Sequence, residues 1–268
     1  MTTFRLAWAT DIHLEFCDDA AIGGFLDNVA AAAPDALVLT GDIGQALSVS
    51  KFLRRIESGL QCPIYFVLGN HDFYKGSIAA ARAEVGELTR SAERLHWLRV
   101  TGVIGLTPSS ALIGVDGWAD GRFGDYARSP VMLNDYLLIQ ELSGIRADER
   151  LRRMQLLAGE DAAILEKNLR AALANHRRVV VATHVPPFAE SAWHEGKQSD
   201  GNWLPHFSSK ACGDVLLAGA DANADREILV LCGHTHGGGT VDVRPNLRVI
   251  TGPAEYGAPG LQHIFELS

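Results

Sequence analysis

Short apolar runs alternate with amphipathic stretches along much of the chain. Five runs rich in β-branched or aromatic residues stand out: Phe4–Ala9, Ala36–Thr40, Ile64–Leu68, Val179–Thr183 and Ile228–Cys232. Each has strand length and few polar interruptions, the pattern of strands covered on both faces. Helical spacing separates the first three, over Ala20–Ala32, Ser48–Ser58 and Ser77–Leu88. A longer helix is predicted from about Glu149 to Asn175, where Leu151, Met154, Leu157, Leu165, Leu169 and Leu173 recur at helical spacing. Strand–helix–strand alternation predicts right-handed crossovers and a largely parallel sheet. The last stretch changes character. Thr240–Val243, Leu247–Thr251 and Gln262–Leu267 read as short strands joined by turns, with Pro245–Asn246 a hairpin tip.

No repeat, low-complexity tract or linker divides the 268 residues, so 1–268 reads as a single domain. Two irregular segments bearing aromatic residues, 115–130 and 185–210, interrupt the scheme; long loops in a compact domain are more often functional than decorative. The formal net charge of -8, from 24 basic and 32 acidic residues, argues against long nucleic acid, whose binding rests on clustered Lys and Arg. A small anionic substrate stays compatible with it, because bound metal ions invert the local field of an acidic protein. Cys17, Cys62, Cys212 and Cys232 form no CxxC pair, which argues against a disulfide framework or a thiolate zinc site and for a cytoplasmic setting. The opening MTTFRLAWATDIH has a single Arg and no long apolar run, so no cleavable signal is expected, and no stretch has the length of a membrane span.

The chemistry gathers where the strands end. FRLAWAT runs into Asp11-Ile12-His13, ALVLT into Gly41-Asp42, and IYFVL into Gly69-Asn70-His71-Asp72; VVVAT is followed by His184 and ILVLC by Gly233-His234-Thr235-His236. In open α/β sheets the ligand crevice lies beyond the carboxyl ends of the strands, so these segments are expected to converge. Asp, Asn and His without thiolate suit borderline or harder divalent metals such as Mn, Fe or Zn. Taken singly, each residue has a plainer reading: a His after a strand is commonly structural, and Asp42 or Asn70 could cap a helix. The histidines at 96, 176 and 263 lie outside any motif and read as solvated or structural.

The ordered set D-x-H, G-D, G-N-H-D, H and G-H-x-H resembles the calcineurin-like metallophosphoesterase superfamily, with its motifs spread from Asp11 to His236. The resemblance implies an α/β fold, a four-layer αββα sandwich of two mixed β-sheets flanked by helices. It implies two divalent metal ions, the first on Asp11, His13 and His236, the second on Asn70, His184 and His234, with Asp42 bridging both. Two such ions against two carboxylates and one hydroxide leave roughly one net positive charge for an anionic phosphate. The resemblance further implies that the hydroxide shared by the ions attacks phosphorus in line, while His71 stands beside the leaving group. Asp72 reads either as a catalytic partner that orients a histidine or as a turn or cap residue.

Departures from the superfamily's branches narrow the reading. Gly41-Asp42-Ile43-Gly44-Gln45-Ala46 lacks the Asp-Arg pair of the phosphoprotein phosphatases, and His71 stands where lipid-A-pathway pyrophosphohydrolases usually carry Arg. The full set is similar to the cyclic-nucleotide and generic phosphodiesterase branch. The expected function is therefore metal-dependent hydrolysis of a small phosphodiester, with (cyclic) nucleotides among the candidates. The alternatives are a phosphomonoesterase of the same fold or, in another class, a non-catalytic metal-binding scaffold. Substrate selection is expected from the loops. Trp193, His194, Trp203 and His206 in one, and Trp118 and Arg122 in the other, either contact substrate or pin the loops to the body.

Overall fold

The computed structural model describes residues 3–268. The first half runs β1 (Phe4–Ala9), α1 (Asp19–Ala31), β2 (Ala36–Thr40), α2 (Val49–Gly59), β3 (Ile64–Val67), α3 (Ile78–Ser91), β4 (Leu95–Trp97) and the single turn α4 (Leu98–Thr101). The second runs β5 (Ile104–Gly105), β6 (Ser110–Gly114), α5 (Asp135–Leu138), α6 (Ala147–Asn175) and β7 (Arg178–Ala182), then the small hairpin of β8 (Trp193–His194) and β9 (Lys197–Gln198). It closes with α7 (Leu204–Phe207), α8 (Lys210–Ala222), β10 (Glu227–Cys232), β11 (Gly239–Arg244), β12 (Leu247–Thr251) and β13 (His263–Leu267).

Two mixed sheets result. One has the order β13-β1-β2-β3-β4, parallel except for β13; the other has the order β11-β12-β10-β7-β6-β5, with antiparallel pairs at both edges. Strand periodicity sets the layers. On β1, Leu6 and Trp8 face Leu112, Val180 and Leu231 of the other sheet, while Ala7 and Ala9 join α1, α2 and α3 on the outer face. On β7, Val180 and Ala182 point between the sheets, while Val179 and Val181 pack with Leu165 and Leu169 of α6 and Leu216 of α8. Helices, sheet, sheet, helices: this is the expected four-layer αββα sandwich.

The five leading strands and α1, α2, α3 and α6 fall within a few residues of their predicted positions. Of the elements not foreseen, β6 and α8 are the longest strand and helix. The sequence SALIG of β6 is short and weak in β-branched residues, yet every residue is buried, because the strand lies inside the second sheet beside β7. KACGDVLLAGADA of α8 is rich in small residues; Gly213 and Gly219 let it approach Pro187 and Leu169 closely. No helix among the described residues is long and apolar enough to cross a membrane.

Candidate metal centre

All five leading strands run parallel within their sheets, so their carboxyl ends open on one edge of the sandwich. The chain turns sharply there. Asp11, His13, Asp42, His234 and His236 all have positive φ, between 41° and 71°. Non-glycine residues adopt that region at a cost, and such strain gathers at functional sites. Turning in this way, Asp11 N donates to Gly41 O at 3.1 Å and His13 N to Asp42 O at 2.9 Å, which locks the first two loops together. Gly69 and Gly233 have no room for a Cβ beside the carboxylates of Asp42 and Asp11.

The chemistry of the donor atoms shows what these residues can hold. His184 Nδ1 donates to Thr40 O at 2.8 Å, and His234 Nε2 donates to His206 O at 3.1 Å, since a carbonyl only accepts. The remaining ring nitrogens, His184 Nε2 and His234 Nδ1, therefore carry lone pairs. Both point at Asn70 Oδ1, each at 2.9 Å. That oxygen is aimed there because Asn70 Nδ2 donates to Asp135 Oδ1 at 2.8 Å and to Tyr74 Oη at 3.2 Å. Three acceptors face one another with no proton between them, a set that suits a cation and little else.

A second set lies beside it. Ligand atoms of Asp11, His13, Asp42 and His236 all fall within 4.8 Å of one another. His13 Nε2 and His236 Nε2 are 3.0 Å apart, and His236 Nε2 is 3.5 Å from Asp11 Oδ1. Asp42 stands between the two sets: its Oδ1 lies 3.4 Å from His184 Nε2, its Oδ2 3.7 Å from His13 Nε2. One oxygen for each set is the disposition a bridging carboxylate needs.

Burial governs the electrostatics. It pushes the imidazole of His184 down to about 3 and that of His236 to about 4, and it lowers His234 as well. These rings are thus neutral near pH 7, the form that binds metals. Burial also drives the Asp42 carboxyl well above its usual range, with the nearby carboxylates of Asp11 and Asp72 adding to the effect. At Asp11 burial acts in the same direction, but the rings of His184, His236 and His13 and the Thr10 hydroxyl outweigh it and hold the group low. Cationic charge is what this pair of buried carboxylates lacks.

A cleft of about 260 Å³ opens over the two sets, at the small end of ligand sites, which run from about 300 Å³ upward. His71, Asn70, His234 and His236 line it, together with Tyr256, Phe207, Leu133, Asn134 and Asp135. His71 stacks on Tyr74, ring centroids 4.1 Å apart.

Several expected site residues lie elsewhere. Asp72 orients no histidine: it is fully buried and accepts from the backbone N–H groups of Ile43, Gly44 and Gly69, tying the second and third loops together. Of the six candidate substrate residues, only His194 lines the cleft. Trp203 packs behind it, its ring 4.9 Å from those of His194 and Phe207. Trp193 fills the space left by Gly237 and Gly239. Trp118 is buried against Phe73, and Arg122 pairs with Asp120 at 3.0 Å. The His206 ring is buried between Tyr136 and Ser129, so it contributes to the site through its carbonyl.

Five residues that motif reading passed over surround the site: Glu15, Tyr74, Asp135, Phe207 and Tyr256. Glu15 and Tyr74 fall beside motifs and Phe207 lies in the irregular segment 185–210, whereas Asp135 and Tyr256 come from segments whose approach is set by tertiary packing.

Residues 4–238 match the model of the calcineurin-like phosphoesterase family, Metallophos. No curated protein sequence matches the chain. Among solved structures it is similar to a dimetal phosphatase from Danio rerio, with 13% identity and a TM-score of 0.62, covering 98% of this chain and 92% of that one. It is similar to the same degree (13% identity, TM-score 0.62) to the phosphopantetheinyl hydrolase PptH from Mycobacterium tuberculosis, over 97% of this chain and 95% of that one. At such identity the likeness is one of fold. The family match spans nearly the whole chain, and the chain belongs to the calcineurin-like phosphoesterases, a family of metal-dependent phosphoester hydrolases.

Proposed function

From that membership we propose that the chain hydrolyses a small phosphodiester in the cleft, with two divalent cations. Asp11, His13 and His236 would hold one, Asn70, His184 and His234 the other, with Asp42 reaching both. Mn, Fe or Zn suits the imidazole and carboxylate donors. Bound there, such ions supply Lewis acidity toward phosphoryl oxygens and a nucleophile active near neutral pH.

The chain's own residues do the rest. Asp135 and Tyr74 fix the Asn70 amide so that its oxygen faces inward. Thr40 and His206 carbonyls fix which nitrogen of His184 and His234 is free. His71 is the ring beside the ligand sets with no strand-end ligand role, and we assign it the proton that the leaving oxygen takes up, delivered from Nε2. Phe207 and Tyr256 narrow the cleft and keep bulk water from the reacting phosphate.

The observation that favours a diester is the lining of the cleft, which contains neither Lys nor Arg. A monoester dianion carries a second negative charge that nothing on these walls would neutralise, and Asp135 would oppose it. A diester carries one. The volume limits the substrate to a small molecule, with a cyclic nucleotide in range, and the single domain, 1–268, would act without long nucleic acid or membrane. The four free thiols accord with a cytoplasmic setting.

The test is hydrolysis of bis-p-nitrophenyl phosphate against p-nitrophenyl phosphate by metal-stripped and manganese-reconstituted protein. Metal-dependent preference for the diester is expected. A preference for the monoester would replace this reading with a phosphatase, and cations bound without hydrolysis of either ester would point to a binding protein.

A further inference from the structure

Glu15 lies in the turn Leu14–Phe16 that follows His13, with a side chain only 10% exposed. Its Oε1 is 3.6 Å from His13 Nδ1 and 3.7 Å from His71 Nδ1. The opposite nitrogen of each ring, Nε2, faces Asp42 Oδ2, at 3.7 Å from His13 and 4.0 Å from His71. Among the described residues, neither Glu15 oxygen nor either Nδ1 has a hydrogen-bond partner. Four buried polar atoms are thus left to satisfy one another, and an unmet buried group costs about 1–3 kcal/mol.

We propose that Glu15 is a positioning residue that holds the Nδ1 protons of both His13 and His71, so that each ring turns its Nε2 toward the reaction centre. A carboxylate only accepts, whereas a neutral imidazole has one N–H to give. Each ring facing Glu15 through Nδ1 therefore carries its proton there. His13 Nε2 is left as the lone pair directed at the first set of ligands. His71 Nε2 is left directed at the cleft: it carries a proton only in the imidazolium, and giving that proton to the leaving oxygen returns the ring to the form protonated at Nδ1. A single carboxylate thereby ties a metal-ligand ring to an uncoordinated one, ring centroids 4.6 Å apart. The assignment of His71's partner rests on the role given to His71 above; the tautomers do not.

An alanine at this position discriminates, because both rings face the same carboxylate oxygen and alanine removes it. With a metal on His13 Nε2, His13 keeps its proton on Nδ1. Nothing then holds the proton of His71 at Nδ1, and a neutral imidazole left to itself favours the Nε2–H form.

The experiment is two-bond proton–nitrogen correlation NMR on zinc-loaded protein with 15N-labelled histidine, wild type and Glu15→Ala. The wild type is expected to show His71 protonated at Nδ1, and Glu15→Ala to show its proton moved to Nε2. A wild-type His71 protonated at Nε2 alone overturns the proposal even if the variant fails to fold, as does an unchanged His71 in a folded variant. Failure of the catalytic reading looks different: His71→Ala would then slow alkyl and nitrophenyl diesters equally, with the wild-type tautomers as described.

Discussion

His184 Nε2 and Asn70 Oδ1 lie 2.9 Å apart, and neither atom has a proton to share. The His184 proton is committed to Thr40 O, and the Asn70 NH2 to Asp135 and Tyr74. A contact between two acceptors persists only where something positive is meant to sit between them. The two-cation account grows from that relationship, and the expectations below follow it outward.

Asp135→Asn should release the amide of Asn70. The new NH2 would compete with that of Asn70 for Tyr74, and the Asn70 oxygen would lose its fixed aim. Partners of this kind typically contribute about 10–100-fold in metal affinity or activity. Competition with a calibrated chelator should show that loss for one of the two cations, with the other little changed.

Asp42→Asn removes the charge that both sets of ligands share while keeping an oxygen that can still accept from His71 N, now 2.9 Å away. The fold should survive. Metal content measured by elemental analysis should fall at both sites, and diester turnover should drop beyond the roughly 100-fold seen for outer partners. Full metal content with normal turnover would remove Asp42 from its bridging place.

Gly233→Ala places a methyl group where the Asp11 carboxylate and Thr10 hydroxyl already stand. The strand-end turn must open to accommodate it. Loss of the cation held by Asp11 is expected, with a fall in melting temperature, checked together by metal analysis and thermal unfolding.

His206 supplies a pH signature outside the ligand set. Burial lowers its imidazole from 6.5 to about 4. The unfolded chain therefore takes up this proton before the folded one does, so the folded state loses stability as pH falls from about 6.5 toward 4. His206→Gln has no such group, so its stability relative to the wild type should improve over that window. Parallel thermal melts at pH 7, 5 and 4 measure it; a constant difference would mean that His206 titrates alike in both states.

The sequence revealed the engine of the site better than its surroundings, for physical reasons. Buried strands announce themselves by unbroken apolar runs, and in a parallel sheet the residues just beyond their carboxyl ends converge, so the meeting of Asp11, Asp42, Asn70, His184 and His234 was legible from local pattern, while their division into two ligand sets came from the family resemblance. Of the two readings open for Asp72, the hydrogen bonds give the turn role: the turn at Asn70 points its carboxylate toward three backbone amides and not toward His71, its neighbour in sequence. Trp118 and His206 looked like substrate contacts because aromatic residues in loops are ambiguous; burial decides, and burial depends on which distant segment packs over them. Asp135 was invisible for the opposite reason. Nothing in NDYLL marks it, and it matters only because α5 is carried across to Tyr74 by residues 65 and 61 positions away in sequence.

The most direct measurement is calorimetric titration of chelator-stripped protein with manganese, with hydrolysis of bis-p-nitrophenyl phosphate followed at each addition. The account predicts two equivalents bound per chain and turnover that rises as the second site fills. Full turnover of stripped protein, or saturation of binding and activity at a single equivalent, would contradict it.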